Sequence, residues 1–406
     1  MRSYQILMDS AHDRCTLNLV SSAMIHRYLE ENGHSITQEA KDADFIIINT
    51  CGTLEQMREA SVALYNRYRT IKKQDAKIIL FGCLIKIDEK RVRPLNATLV
   101  SFSDGNILDD FFFRTAKFDQ MTPYCDQRTR NLLCDTAGHL DFSGHHNFYL
   151  SRLFLPFSQK MKSNYDRFIQ GLDHYDKILV EISRGCLGNC HYCPIKKAKG
   201  PLKSRPIDEI LSDIRRMASS SKNLYLVADD CSCYGLDIRT NIFQLLHAIH
   251  NQFPQLSLQI NYISPNQLIQ HGDLYSDLVS TSQLSYVTIP LQSGSQKVLA
   301  TMNRFYDPKE AVAIIRQIKN RSPGTIIEGH FIVGYPGETT IDFLKTLMSS
   351  LYFDYPLTFP YSDSEDVKSH ALPHKKSKAT KYLRAFVMTV LANWIVFYRL
   401  LQRETS

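Results

Sequence analysis

Short continuous apolar runs alternate with stretches of helical periodicity in two separate parts of the chain. In the first part, residues 4–8 read as a strand and residues 17–31 carry a helical repeat. Phe45-Ile-Ile-Ile-Asn49 is apolar without a break, as expected of a parallel strand covered on both faces. A helical stretch over 54–72 and a third strand over 77–81 follow. This order predicts a Rossmann-like three-layer α/β domain over residues 1–100. Residues 101–176 lose the rhythm. Phe111 to Phe113 and Phe154 to Phe157 are apolar patches in irregular polar sequence, read here as a linker or lid region.

From residue 177 the strand–helix rhythm returns. Strands are predicted over 177–182, 224–227, 256–263, 286–291, 326–333 and 357–361. Pro206 opens a helix whose Ile207, Ile210, Leu211, Ile214 and Met217 share one face. Six strands alternating with helices predict a partial (β/α)6 barrel of the TIM type over 177–365, with active groups at the carboxyl ends of the strands. Residues 366–406 read as a helical extension. Within it, 385–401 is apolar but carries Asn393 and Arg399, and it is shorter than the roughly 20 residues a membrane span needs. Packing on the barrel is the expected role, with contact to a partner or membrane surface as the alternative.

Composition narrows the class. Apolar residues make up 44% of the 406 and charged ones 22%, which is ordinary for a globular protein. The N-terminus has no basic segment leading into an apolar one, so no export is expected, and ten cysteines then fit a reducing, cytoplasmic setting. Net charge is +7, a mild and dispersed excess that permits an anionic partner without requiring one. The densest basic run is Lys196, Lys197 and Lys199, with Lys203 and Arg205 close behind.

The cysteines carry the chemistry. Cys186, Cys190 and Cys193 stand in C-x-x-x-C-x-x-C spacing directly after a predicted strand, with Tyr192 before the last and Gly185 and Gly188 inside the loop. Three thiolates can hold three irons of a cubane and leave the fourth open to a small molecule. A structural zinc site or three core thiols are the alternatives, but zinc sites favour C-x-x-C pairs closed by a fourth ligand. The spacing is the signature of radical S-adenosylmethionine (SAM) enzymes. Cys15, Cys51 and Cys83 follow the predicted first, second and third strands, where loops of a parallel sheet converge. Spacing alone leaves these three open as ordinary buried thiols. Cys125 and Cys134 lack neighbouring ligand spacing and read as ordinary thiols, and His145 with His146 as a solvated turn.

Several stretches resemble the radical-SAM methylthiotransferases. They are Cys15-Thr-Leu-Asn18, Asn49-Thr-Cys51-Gly52, Phe81-Gly-Cys83-Leu84, Asp230 to Asp237, Ile289 to Ser295 and Phe331 to Glu338. Arg14 replaces the glycine usual before the first cysteine. The resemblance covers roughly 4–100 and 176–385. It implies an auxiliary 4Fe–4S cluster on Cys15, Cys51 and Cys83, besides the SAM-binding 4Fe–4S cluster on Cys186, Cys190 and Cys193. By motif position it implies SAM contacts from Tyr192, Asp230, Ser264, Gln292, Ile332 and Gly334. Cys231 and Cys233 stand where the family more often has Thr, Ser or Ala, and small-residue packing is the expected role. No residue is assigned as catalytic. The family's small C-terminal RNA- or protein-binding β-barrel, called TRAM, is not expected in this chain.

The resemblance implies transfer of sulfur and a methyl group to an unactivated C–H bond. Asn49-Thr-Cys-Gly52 and Ser232 to Asp237 lean toward the branch that modifies an aspartate of a ribosomal protein, so a protein or peptide substrate is expected ahead of tRNA. An electron donor such as flavodoxin or ferredoxin is expected as a partner. The other classes are a tRNA methylthiotransferase, an enzyme of a different radical reaction, and a redox-sensing Fe–S binding protein. Intact cysteine triads at both sites argue against the last.

Overall fold

Strand β1 (Gln5–Ser10) lies between β2 (Ser35–Ile36) and β3 (Phe45–Thr50), and β4 (Lys77–Gly82) and β5 (Thr98–Val100) complete a parallel sheet in the order β2-β1-β3-β4-β5. The computed structural model describes residues 3–12, 15–129, 133, 177–273, 275 and 283–405. Arg14, Cys134, His145, His146 and Phe154 to Phe157 lie outside the described residues. Alternation along the strands sends Ile46, Ile48, Ile78 and Leu80 to one face, against Ala60, Leu64 and Tyr68 of the helix Glu55–Ile71. Ile6, Met8, Ile47, Ile79 and Phe81 go to the other, against Ile25, Tyr28 and Leu29 of the helix Thr16–Glu31. These are the three layers expected. The additional strands β2 and β5 are two and three residues long, too short to leave a period in the sequence. Phe102, Phe112 and Phe118, from the stretch after residue 100, are buried in the same core.

The second sheet contains β6 (Tyr124–Cys125), β7 (Ile178–Glu181), β10 (Asn223–Val227), β11 (Ser257–Ile260), β12 (Leu284–Gln292), β13 (Ile326–Val333) and β14 (Tyr355–Pro360). Their order is β14-β13-β12-β11-β10-β7-β6. The six expected strands all pair in parallel; β6, which the sequence did not announce, adds antiparallel to β7. Among the described residues β14 and β6 are therefore the two edges of the sheet. A small antiparallel pair, β8 (Ser183–Arg184) with β9 (Lys203–Ser204), brackets the loop that carries Cys186, Cys190 and Cys193.

One face of this sheet is apolar and packed under helices. Ile178, Val180, Leu224, Leu226, Leu258, Ile260 and Ile289 lie there with Ile210, Ile214, Leu245, Leu246 and Ile315. The other face meets the first domain. Leu179, Tyr225, Val227, Tyr286 and Tyr355 pack against Leu17, Leu19, Val20 and Ala23 of the helix Thr16–Glu31. That helix is buried from Thr16 to Ile25 without interruption. A helix apolar around most of its circumference needs cover on every side, and the two sheets supply it.

The last helix, Lys378–Thr405, is 28 residues long and starts earlier than the apolar stretch implied. Its first turns hold it: Met388 is buried in the barrel core with Ala385 against it, and Arg384 pairs with the buried Glu338. Among the described residues, no helix is long and apolar enough to cross a membrane.

Leu17 is 5% exposed at the contact between the helix and the inner face of the second sheet. Leu17→Ala should lower the unfolding free energy by about 2–5 kcal/mol, read from urea titration by circular dichroism. An unchanged midpoint would mean that this contact does not form.

Candidate functional site

The first three cysteines sit where strands end. Cys51 follows β3, Cys83 follows β4 and begins the short helix Leu84–Ile87, and Cys15 directly precedes the helix Thr16–Glu31. Register places Thr50 opposite Gly82, so the loops after β3 and β4 leave the sheet side by side. Cys51 and Cys83 are buried and Cys15 is half-buried. The thiols feel one another. Burial, and then the charge of Cys15, push Cys51 up to about 11. Burial raises Cys83 too, and it feels the charges of Cys51 and Cys15. At Cys15 burial also pushes upward, yet the hydrogen bond and charge of His12 and the charge of Lys199 carry that thiol below its ordinary value. The Cys51 N–H donates to Ser61 Oγ at 3.1 Å, which fixes the loop. Both polar atoms of the buried Asn18 side chain, one helical turn from Cys15, find no partner among the described residues.

The second triad lies on the loop after β7. Gly185 has φ +81°, and a Cβ there would stand 2.2 Å from Pro201 O, so only glycine fits. Its N–H donates to Asp229 Oδ2 at 2.8 Å. The Gly188 N–H donates to Cys186 Sγ at 3.1 Å. A Cβ on Gly188 would lie 3.1 Å from Cys186 Sγ and 3.8 Å from Cys190 Sγ, so the missing side chain leaves a cradle against two sulfurs. Burial, then the charge of Asp230, push Cys186 up to about 11, and the Gly188 N–H works in the other direction. The loop is pinned by His191 N–H to Met302 O at 3.0 Å and Asn303 Nδ2 to Asn189 O at 2.9 Å.

Residues at both triads fit a polynuclear cluster. Among the described residues no three His, Cys, Asp or Glu side chains form a group suited to a single metal ion. Cubane ligands bind different irons and need not converge on one point. At the second triad the Gly188 N–H on Cys186 Sγ and the space left by the absent Gly188 side chain match that requirement.

The structure puts the motif-based SAM residues at or just beyond the carboxyl ends of the barrel strands, apart from Tyr192 in the cysteine loop. The Tyr192 hydroxyl accepts from Arg304 Nη1 at 2.9 Å, and that same nitrogen is 4.0 Å from Cys190 Sγ. Asp230 accepts from Ser232 N–H at 3.1 Å and from Cys233 Sγ at 3.3 Å, and burial raises its carboxyl above the usual range. Ser264 N–H donates to Ser232 Oγ at 3.2 Å. Gln292 closes β12 with φ +62°, and its buried Oε1 has no partner among the described residues. Ile332 on β13 is half-buried against the barrel core. Gly334 donates its N–H to Glu338 Oε2 at 2.7 Å, and Lys381 of the last helix closes over it. Asp230, Ser232, Cys233 and Ser264 thus form one polar cluster near Cys186. The Gln292 carbonyl is an acceptor without a donor among the described residues.

Sequence reasoning missed four contributors. Lys199 and Asp229 form an ion pair at 3.4 Å with side chains only 2% and 5% exposed. Arg304 reaches the second triad from after the helix Gln296–Thr301. His330 stacks edge-on between Tyr262 and Phe359 and is 2.7 Å from Glu328 on the face opposite the covering helices. No spacing rule links Lys199 to Asp229, 30 positions on, or Cys190 to Arg304, 114 positions on. Lys199 was visible only as one member of a basic run.

The comparisons agree with this architecture. Residues 180–349 match the Radical SAM superfamily, and residues 14–101 match an uncharacterized protein family, UPF0004. The ribosomal protein uS12 methylthiotransferase RimO of Fervidobacterium nodosum is 27% identical over 395 residues, covering 95% of this chain and 82% of that protein. The tRNA-2-methylthio-N(6)-dimethylallyladenosine synthase of Methylacidiphilum infernorum is 26% identical, covering 94% of this chain and 78% of that one. Among solved structures, the radical S-adenosylmethionine methyltransferase TsrM from Kitasatospora setae, with tryptophan and a SAM analogue bound, has a TM-score of 0.56 at 13% identity. It covers 89% of this chain and 74% of that chain, a likeness of fold. With residues 14–101 and 180–349 matched and curated methylthiotransferases aligned along nearly all of its length, the chain is similar throughout to the radical-SAM methylthiotransferases.

Proposed function

We propose that this enzyme inserts sulfur and a methyl group at an unactivated C–H bond of a protein or peptide residue, an aspartate-like position being the first candidate. In this reading Cys186, Cys190 and Cys193 hold the 4Fe–4S cluster that binds SAM, and Cys15, Cys51 and Cys83 hold the second. One observation carries it: the two triads are tied through a single helix contact. The helix Ile195–Lys199 begins two residues after Cys193 and buries Ala198 in the core of the first domain. Lys197 Nζ donates to Ile87 O at 3.1 Å, at the end of the helix that begins at Cys83. When bound, the reduced cluster and SAM supply a 5′-deoxyadenosyl radical, and the second cluster supplies sulfur for the substrate carbon.

The chain's own residues then bind and orient. Gly188 N–H and Arg304 offer donors to the sulfurs of Cys186 and Cys190, which favours the anionic form. Tyr192, Asp230, Ser264, Gln292, Ile332 and Gly334 are the proposed SAM contacts. Of these, Asp230 and Gln292 offer acceptors suited to an ammonium or a hydroxyl. The helix Thr16–Glu31 excludes water from the inner face below. Reduction needs a one-electron donor of the flavodoxin or ferredoxin type, in a cytoplasmic setting.

The ion pairs favour a protein substrate over tRNA. RNA binding by charge needs a clustered, free basic stripe. Here Lys197 pairs with Asp366 at 2.6 Å, Lys199 with Asp229 at 3.4 Å, and Arg205 with Asp213 at 2.5 Å. More than half of the densest basic run is neutralised internally. Relatives that act on a ribosomal protein recur among the matches beside those that act on tRNA.

Anaerobic reconstitution should give about eight irons and eight sulfides per chain, and about half after Cys186, Cys190 and Cys193 are replaced by Ala. Iron near four in the unmutated protein, or none in the triple variant, would rule out two independent clusters. In a chain lacking Cys15, Cys51 and Cys83, Gly188→Ala should lower iron occupancy, because a methyl group would press on Cys186 Sγ at 3.1 Å.

That N-terminal triple variant should still cleave SAM to 5′-deoxyadenosine while transferring no methylthio group. Loss of cleavage with an intact barrel cluster would overturn the division of roles. Mass spectrometry of host proteins and tRNA nucleosides, with and without the gene, decides the substrate. A methylthio mark lost from a protein supports the proposal, and a methylthioadenosine lost from tRNA refutes it.

A further inference from the structure

Lys199 occupies an unusual place. It is the last residue of the helix after the second cysteine loop, yet its ammonium is buried against the first domain, 4.6 Å from the centre of the Phe102 ring. Phe102 shares a core with Cys83 and Ala198. Asp229, two residues beyond β10, is the partner of Lys199, and its other oxygen accepts the Gly185 N–H at the start of the Cys186 loop. Arg184 also lies over Phe102, at 5.1 Å, and is held by Glu181 at 2.9 Å. The pair thus bridges the two triads, ammonium toward one and carboxylate toward the other.

A buried ion pair of this kind is a weak stabiliser, because desolvation offsets most of the attraction. Its field reaches further than its bond. In a low-dielectric interior a unit charge acts strongly on a neighbouring redox centre, and net charge with hydrogen bonding sets cluster potentials. Resting on the two-cluster reading above, we propose that Lys199 is a positioning residue that sets the reduction potential of the N-terminal cluster. Its fixed positive charge favours the form carrying the added electron. The Asp229 carboxylate opposes that effect and orients the ammonium.

The test uses the full chain with Cys186, Cys190 and Cys193 replaced by Ala, so that only the N-terminal cluster is titrated by EPR against a chemical reductant. Lys199→Gln keeps a donor for Asp229 and removes the charge. At the midpoint of the parent, its reduced-to-oxidised ratio should fall about tenfold, a shift of ~59 mV to more negative potential for one electron. Lys199→Arg should restore the parent value, and Asp229→Asn should move it the opposite way. An unchanged potential in Lys199→Gln with the iron retained would overturn the proposal. If Lys199→Gln loses its iron, an unchanged potential in Asp229→Asn overturns it instead. Failure of the two-cluster reading looks different: the parent itself would bind no iron.

Discussion

Everything else in this molecule depends on the burial of one helix between two sheets. The helix Thr16–Glu31 gives Ile25, Tyr28 and Leu29 to the first sheet and Leu17, Leu19, Val20 and Ala23 to the inner face of the second. At roughly 25 cal/mol per Å² of apolar surface, burial on both sides ties the two domains together through one apolar element. The same helix begins at Cys15. Packing that stabilises the fold therefore also carries one cysteine of the first triad to the barrel. The half-buried Tyr262, whose ionised form would feel the charge of Cys15, lies on the loop after β11.

Polar groups inside this packing are answered locally. Asn49 Nδ2 donates to Asn18 O at 3.0 Å and to Ser22 Oγ at 2.9 Å, so β3 is clamped to the helix just before Cys51. Arg58 is buried, donates to Gly52 O at 3.0 Å and reaches Ser364 Oγ at 2.9 Å. The loop after Cys51 is thereby tied to the segment after β14. Satisfied buried networks of this sort specify one arrangement. Among the buried polar atoms without a partner in the described residues, those of Asn18 and the Gln292 carbonyl fall beside the proposed cluster and SAM sites, where a ligand can supply the missing partner.

Much of this was legible in the sequence because the strands are short and covered on both faces. Phe45 to Asn49 and the six barrel strands announce themselves by apolar runs ended by Gly, Ser or Asp. Spacing singled out Cys186, Cys190 and Cys193 as the proposed ligands of one cluster, and resemblance singled out Cys15, Cys51 and Cys83 as those of the other. What escaped was tertiary. β6 has two residues and exists only because β7 offers it an edge. Lys199 reads as a solvated cation until Phe102 and Asp229 close around it. Arg304 sits in an ordinary turn, and only the fold brings it to Tyr192 and Cys190. The early start of the last helix at Lys378 reflects Lys381 over Gly334 and Arg384 on Glu338, contacts that no periodicity encodes.

The central claim is that two three-cysteine clusters share one interior, joined by the helix Ile195–Lys199. Magnetic coupling tests it most directly. With both clusters reduced, the EPR spectrum should be broadened and split relative to the sum of spectra from the two triple-Ala variants, each holding one cluster. A doubly reduced spectrum equal to that sum would contradict the account.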